Sequence, residues 1–129
     1  MITDLIGGAV AALRAPSWLS AAGIRELQNS PALTAAPPLE RAELRLRASG
    51  RAIRLLSRLP GSPWRNTCLY RSVAATLALR SLGYEAVLRL GVSASGGPID
   101  VAAHAWVECP GVQSRALPAE GLGGFVPLR

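Results

Sequence analysis

The chain has no lysine: its 14 basic residues are all arginine, against 8 acidic ones, for a net charge of +6. That usage, together with the abundance of alanine, is what a GC-rich coding sequence produces, so the basic balance alone names no polyanionic partner. Aromatics make up only 5% of the chain. No basic run is interleaved with them and no glycine-rich phosphate loop is present, so nucleic acid is the last-ranked partner even though arginines do contact phosphates. Two cysteines are too few for a disulfide framework and fit a reducing compartment. One histidine, with no CxxC or HxxxH spacing, is too little for an ordinary zinc site. No apolar run approaches the roughly 20 residues that span a bilayer. The opening MITDLIGGAVAALRAP carries Asp4 and no positive charge ahead of its apolar middle, unlike a signal peptide. The expectation is a cytoplasmic protein with no membrane insertion, no cofactor and no metal.

What is present is globular in composition: half of the 129 residues are hydrophobic, with 13 Gly and 10 Pro and no internal repeat. This is one domain's worth of chain, 1–129, with a helical portion over 1–60 and a core over 61–129. Residues 3–13 and 17–29 read as short helices, with Ser17 as the N-cap of the second, and the prolines of Asn29 to Pro38 form a linker. A longer helix is predicted over 38–59. Leu39, Leu46 and Ile53 recur on one row and Ala42, Ser49 and Leu56 on the next, giving one apolar face. Arg41, Arg45, Arg47, Arg51, Arg54 and Arg58 fall off that stripe and read as a solvated face, or as a docking surface for an acidic partner.

LPGSPW ends that helix. The next starts at Asn66 or Thr67, runs through CLYRSVAATLALRSL and stops at Gly83. Then the period changes to two. In YEAVLRLGV, Ala86, Leu88, Leu90 and Val92 point one way and Glu85, Val87 and Arg89 the other; VAAHAWVEC is a second strand and VQSRAL a weaker third. The tail LGGFVPLR either adds an edge strand or packs Phe125 into the core. Helices followed by a small antiparallel sheet make the fold class α+β.

Cys68 falls in the first turn of its helix, where unpaired backbone N–H groups and the helix dipole favour a thiolate, with Arg65 and Arg71 adding positive potential. The competing reading is a buried cysteine that acts as a small hydrophobe. His104 lies mid-strand and shares a face with Trp106 and Glu108, while Ala105, Val107 and Cys109 take the other. A general base must bring its ring nitrogen within about 3 Å of the thiol. Periodicity alone leaves a core histidine as the alternative. Because Cys109 projects away from His104, a zinc site on Cys68, His104 and Cys109 is not expected. Trp106 either shields the site from water or simply fills the core, and Trp18 and Trp64 either line a peptide groove or pack.

The run CLYRSVAATLALRSLGYEAVLRLGV followed by AHAWVE resembles the transglutaminase-like leader peptidases of lasso-peptide biosynthesis, in the stand-alone form without a fused leader-binding domain. The residues that carry the likeness are Cys68, Leu69, Arg71, Ser72, Gly83, Gly91, Val92 and Ala103 through Glu108, with a looser likeness in FVPL. The resemblance implies a papain- and transglutaminase-like fold, with the helix carrying Cys68 packed on a small antiparallel sheet carrying His104. It implies a cysteine protease that cuts the leader from a precursor peptide. Its partners would be a small leader-recognition protein and a macrolactam-forming cyclase. Cys68 is then the nucleophile and His104 the base, with Trp106 and Arg71 lining the site. The family's usual acid, about a dozen residues after the histidine, falls here on Ala116 or Leu117, which cannot accept a hydrogen bond. The substitutes rank Glu120 first, then Asp100, then Gln113. The alternatives are acyl transfer by the same pair and a catalytically degenerate scaffold for precursor or partner.

Overall fold

A computed structural model describes residues 2–29, 38–94, 101–112, 118 and 126–128. Helix α1 spans Ile2–Arg14, a 3-10 turn Ala15–Trp18, α2 Ala21–Gln28, α3 Leu39–Leu56 and α4 Cys68–Arg80; strand β1 spans Val87–Ala94, β2 Val101–Glu108 and β3 Val126–Leu128. The sheet order is β2-β1-β3, with both pairings antiparallel. The α+β expectation holds, with one difference in the sheet. The tail forms an edge strand, β3, on the far side of β1, while VQSRAL falls almost wholly outside the described residues. Pro118 just after it accepts a hydrogen bond from the Val107 backbone N–H at 2.9 Å, so the chain does pass along the free edge of β2 there.

Helix α4 is the centre of the molecule. Ser72, Val73, Ala74, Ala75, Thr76, Ala78 and Leu79 are all buried, so the helix has no solvent stripe to orient it. It is wedged between α1 and α3 on one side and the sheet on the other, which is why its sequence is small and apolar nearly all round. Thr67, in extended conformation, caps its start by accepting from the Tyr70 N–H. At its end Gly83 takes φ 92°, a left-handed conformation that glycine adopts without a Cβ penalty. The Gly83 and Tyr84 N–H groups then return to the carbonyls of Arg80 and Leu79.

Two core clusters share α4. Leu46 of α3, Leu79 and Val107 meet in one; Ile53, Val73, Leu88 and Ala105 meet in the other. Arg80 fastens the assembly from outside. Its Nε donates to the Ala86 carbonyl at 2.8 Å, and its Nη2 donates to the carbonyls of Leu27 (3.0 Å) and Asn29 (2.5 Å), so the end of α2 and the entry to β1 hang on one guanidinium. Burial pulls the Arg80 pKa down from the usual arginine value, and the charge of Glu26 opposes that shift.

Two sequence expectations need correction. Ser17 is not a helix cap: the Ala15–Trp18 turn absorbs it, its hydroxyl donates to the Arg14 carbonyl, and Ser20 caps α2 by accepting from the Gly23 N–H. Arg45 is not on a solvated face. Only 8% exposed, it donates from Nε to Asp4 Oδ1 at 2.9 Å and from Nη1 to Ser81 Oγ at 2.6 Å. The space comes from α1, where a Cβ on Gly7 would lie 2.6 Å from the Arg45 guanidinium carbon and one on Gly8 would lie 2.5 Å from the Arg45 carbonyl oxygen. Two glycines thus let α1 and α3 close on an arginine laid between them. Arg41 adds a second donor to Asp4, and this bond, ahead of that of Arg45, holds the Asp4 carboxyl below the usual aspartate value against the opposing effect of burial.

Candidate active site

Cys68 is the first residue of α4 and is partly buried against the cluster that holds Ala105 and Leu88. Arg71 lies on the same turn, its Nε donating to the Thr67 carbonyl at 3.4 Å, so its charge sits at the helix start as the sequence reading expected. One turn further on, the buried Ser72 hydroxyl donates to the Ala105 carbonyl at 3.1 Å. The first two turns of α4 are thereby fixed on β2 at the residue next to His104.

The strand faces are as the alternation predicts. Ala105 and Val107 pack against α4, and Cys109 lies with Val107 in the same cluster. His104, Trp106 and Glu108 take the opposite face. The His104 and Trp106 rings stack with centroids 5.8 Å apart and planes 19° off parallel. The fold therefore brings the backbone of His104 to the start of α4, while its ring leans on Trp106; among the described residues no hydrogen bond joins the Cys68 thiol to the ring. Catalytic hydrogen bonds in cysteine and serine hydrolases are often long before substrate is seated.

Trp106 is 2% exposed, so it is a core residue as well as a neighbour of His104. Cys109 is buried and unpaired with Cys68, and burial, helped by the charge of Glu85, pushes its thiol up to about 11. Trp64 packs on the core and donates its indole N–H to the Ala12 carbonyl at 2.8 Å. Trp18 helps to line an apolar cleft of about 510 Å³ between α1, α2 and α4. Glu120, Asp100 and Gln113, the three candidates for the third member, all lie outside the described residues.

Sequence reasoning missed three features. Ser72 stood within the quoted motif without a role, because its partner is a backbone carbonyl 33 residues away. Gly91 is the direct cross-strand partner of His104, so the β1 position opposite the histidine carries no side chain. Arg89 reaches across strands to Glu108, its Nε 3.1 Å from Oε2. A glycine inside an otherwise apolar strand was the one readable signal, since such glycines mark close approach.

A cysteine opens a buried helix and a histidine lies on the sheet packed against it, the two residue types that cysteine-protease and acyltransferase chemistry uses. The particular family follows from comparison of the whole chain: residues 8–128 match the Transglutaminase-like superfamily, and the chain belongs to it. The match takes in the second half of α1 and all of α3 as well as the motif-bearing half. No curated protein and no solved structure matches the chain. Among the described residues no helix is long and apolar enough to cross a membrane.

Proposed function

We propose that this chain is a cysteine peptidase that removes the leader from a ribosomally made lasso-peptide precursor. The observation that carries the reading is the meeting of two halves of one ordered motif. Cys68 opens α4 under its Thr67 cap, and the next turn is hydrogen-bonded through Ser72 to the strand residue beside His104. The Cys68 sulfur gives its proton to His104 and attacks the scissile carbonyl. The Cys68 backbone N–H, one of the unpaired donors of a helix start, stabilises the oxyanion. The imidazolium then protonates the leaving amine, the C–N bond breaks, and the leader remains as a thioester. Water, deprotonated by His104, hydrolyses the thioester and frees the thiol.

The reading requires the His104 ring to come within about 3 Å of the sulfur when substrate is seated. Glu120 is the first choice to hold the ring's other nitrogen, followed by Asp100 and Gln113. The core peptide leaves with a free amine, which is the group a macrolactam-forming cyclase acts on. That cyclase and a small leader-recognition protein are the proposed partners. Mass spectrometry of a cognate precursor tests the reading. The native chain yields leader and core as two fragments, and Cys68→Ala yields neither. A mass shift without a cut would replace hydrolysis by acyl transfer, and cutting by Cys68→Ala at the native rate would end both readings.

A further inference from the structure

We propose that the outer face of α3, carried on to the start of α4, is a docking surface for an acidic, leucine-bearing peptide segment, and that this segment belongs to the substrate. The assignment to substrate rests on the peptidase reading above; the docking itself does not.

The arginines are unevenly placed. Residues 44–84 hold eight of the 14 arginines and none of the eight acidic residues. Coding bias explains arginine in place of lysine; it does not keep the acids out of one stretch. Two of the eight work inside the fold, where Arg45 binds Asp4 and Arg80 fastens α2 to β1. Arg47 is neutralised by Glu43 at 2.8 Å. Arg51, Arg54, Arg58 and Arg65 are exposed, and among the described residues no acidic side chain pairs with them.

Helical periodicity puts Arg51, Arg54 and Arg58 on one row, opposite the buried row of Ala42, Leu46, Ser49 and Ile53. Like charges three and four residues apart destabilise a helix, so the row is a cost to the fold. The helix dipole favours a cation in the last turn, which accounts for Arg54 and not for Arg51. Leu55 and Leu59, 62% and 55% exposed, add apolar contact area beside the arginines. Guanidinium groups set among leucines complement carboxylates interleaved with apolar side chains. They suit single-stranded nucleic acid poorly, because α3 has no aromatic residue on which a base could stack. The unbalanced charge also runs towards the thiol. It begins beyond the Glu43–Arg47 pair and continues through Arg65, three positions before Cys68, to Arg71 on the first turn of α4. Leu56 of α3 and Cys68 pack on the same core cluster. An acidic stretch lying along α3 is therefore held beside the helix that carries the nucleophile.

Fluorescence anisotropy at physiological salt tests the docking. The probe is a fluorescein-labelled synthetic peptide of four Glu-Glu-Leu repeats, compared with Gln-Gln-Leu and Glu-Glu-Ser peptides and with oligo-dT. The Glu-Glu-Leu peptide should bind, and the other two peptides roughly tenfold more weakly. Arg51→Gln combined with Arg58→Gln should weaken its binding about tenfold. Arg14→Gln combined with Arg25→Gln removes the same charge from exposed positions elsewhere and should change it by less than about twofold. Equal losses in the two double variants would reduce the effect to net charge and overturn the proposal. So would failure of the peptide to bind, or tighter binding of oligo-dT through the same arginines, which would make the face a nucleic-acid surface. In precursor cleavage the Arg51, Arg58 double variant should raise KM about tenfold with kcat unchanged, and the Glu-Glu-Leu peptide should compete. An unchanged KM would overturn the assignment to substrate while cleavage by the native chain upholds the peptidase reading. If the peptide binds as stated but the native chain cuts no precursor, the docking surface stands and the peptidase reading falls.

Discussion

The Ser72 hydroxyl donates to the Ala105 carbonyl across 3.1 Å, inside the interface between α4 and β2. It is the one side-chain hydrogen bond described between the cysteine-bearing helix and the histidine-bearing strand, and both of its partners are buried. Ser72→Ala leaves a buried carbonyl without that donor, which costs about 1–2 kcal/mol. Urea denaturation should read that loss. If α4 is held on β2 by this bond, turnover should also fall by roughly tenfold through misplacement of the thiol. A variant as stable and as active as the native chain would show that packing alone fixes the two elements.

The contact between α1 and α3 is closer than side chains would allow. A Cβ on Gly8 would meet the Ala48 Cβ and the Arg45 carbonyl oxygen, each at 2.5 Å, and the latter belongs to backbone. Gly8→Ala should therefore force the helices apart and cost about 1–3 kcal/mol. Gly50 lies in α3 with nothing within 4 Å of its hypothetical Cβ. Gly50→Ala should raise stability by about 0.5–1 kcal/mol, the helix-interior penalty of glycine removed. Opposite effects at Gly8 in α1 and Gly50 in α3 would separate close packing from propensity in one thermal-shift experiment.

Local rules made α4 legible. A threonine cap, a small apolar run and a stop glycine are all short-range signals, and each appears where the sequence puts it. The faces of β2 were readable for the same reason, because alternation needs no partner. What was not readable depends on distant chain. Arg45 sits off the apolar stripe of α3, and only its pairing with Asp4, 41 residues earlier, turns it inward. The burial of Asp4 could not be seen either, because the row it shares with Gly8, Ala11 and Ala12 is defined by α3. Ser17 was misread because a 3-10 turn over Ala15–Trp18 takes it up and delays α2 to Ala21. The register that sets Gly91 opposite His104 is fixed by pairing across a connection, which composition does not encode. The acid expected after the histidine is no longer at its usual place in the sequence, and the three substitutes lie outside the described residues.

Asp4 should make the fold sensitive to acid. Its carboxyl, 2% exposed, is held low by Arg41 first and by Arg45. A folded-state value below the unfolded one means the stabilisation is complete above the unfolded aspartate value of about 4 and is lost as pH falls from there through the folded value. Asp4→Asn should flatten the dependence of stability on pH in that acid range. At neutral pH it should cost about 3 kcal/mol, because Arg45 stays buried without its counter-charge. Denaturation midpoints of the two proteins between pH 3 and pH 7 should converge towards the acid end; parallel curves would show that Asp4 carries no linked proton.

The two cysteines should differ sharply in reactivity. Cys109 is 8% exposed among apolar neighbours, and its thiol is pushed up to about 11, so at pH 8 almost none of it is thiolate. Cys68 is more exposed and stands at the N-terminus of α4. Iodoacetamide at pH 8 should add one carboxamidomethyl group to the folded protein, and peptide mapping should find it on Cys68. Unfolding in urea should make the two sites comparable. Equal labelling of both thiols in the folded chain would remove the physical ground for Cys68 as a nucleophile, and with it the reason to treat the helix start as more than a packing site.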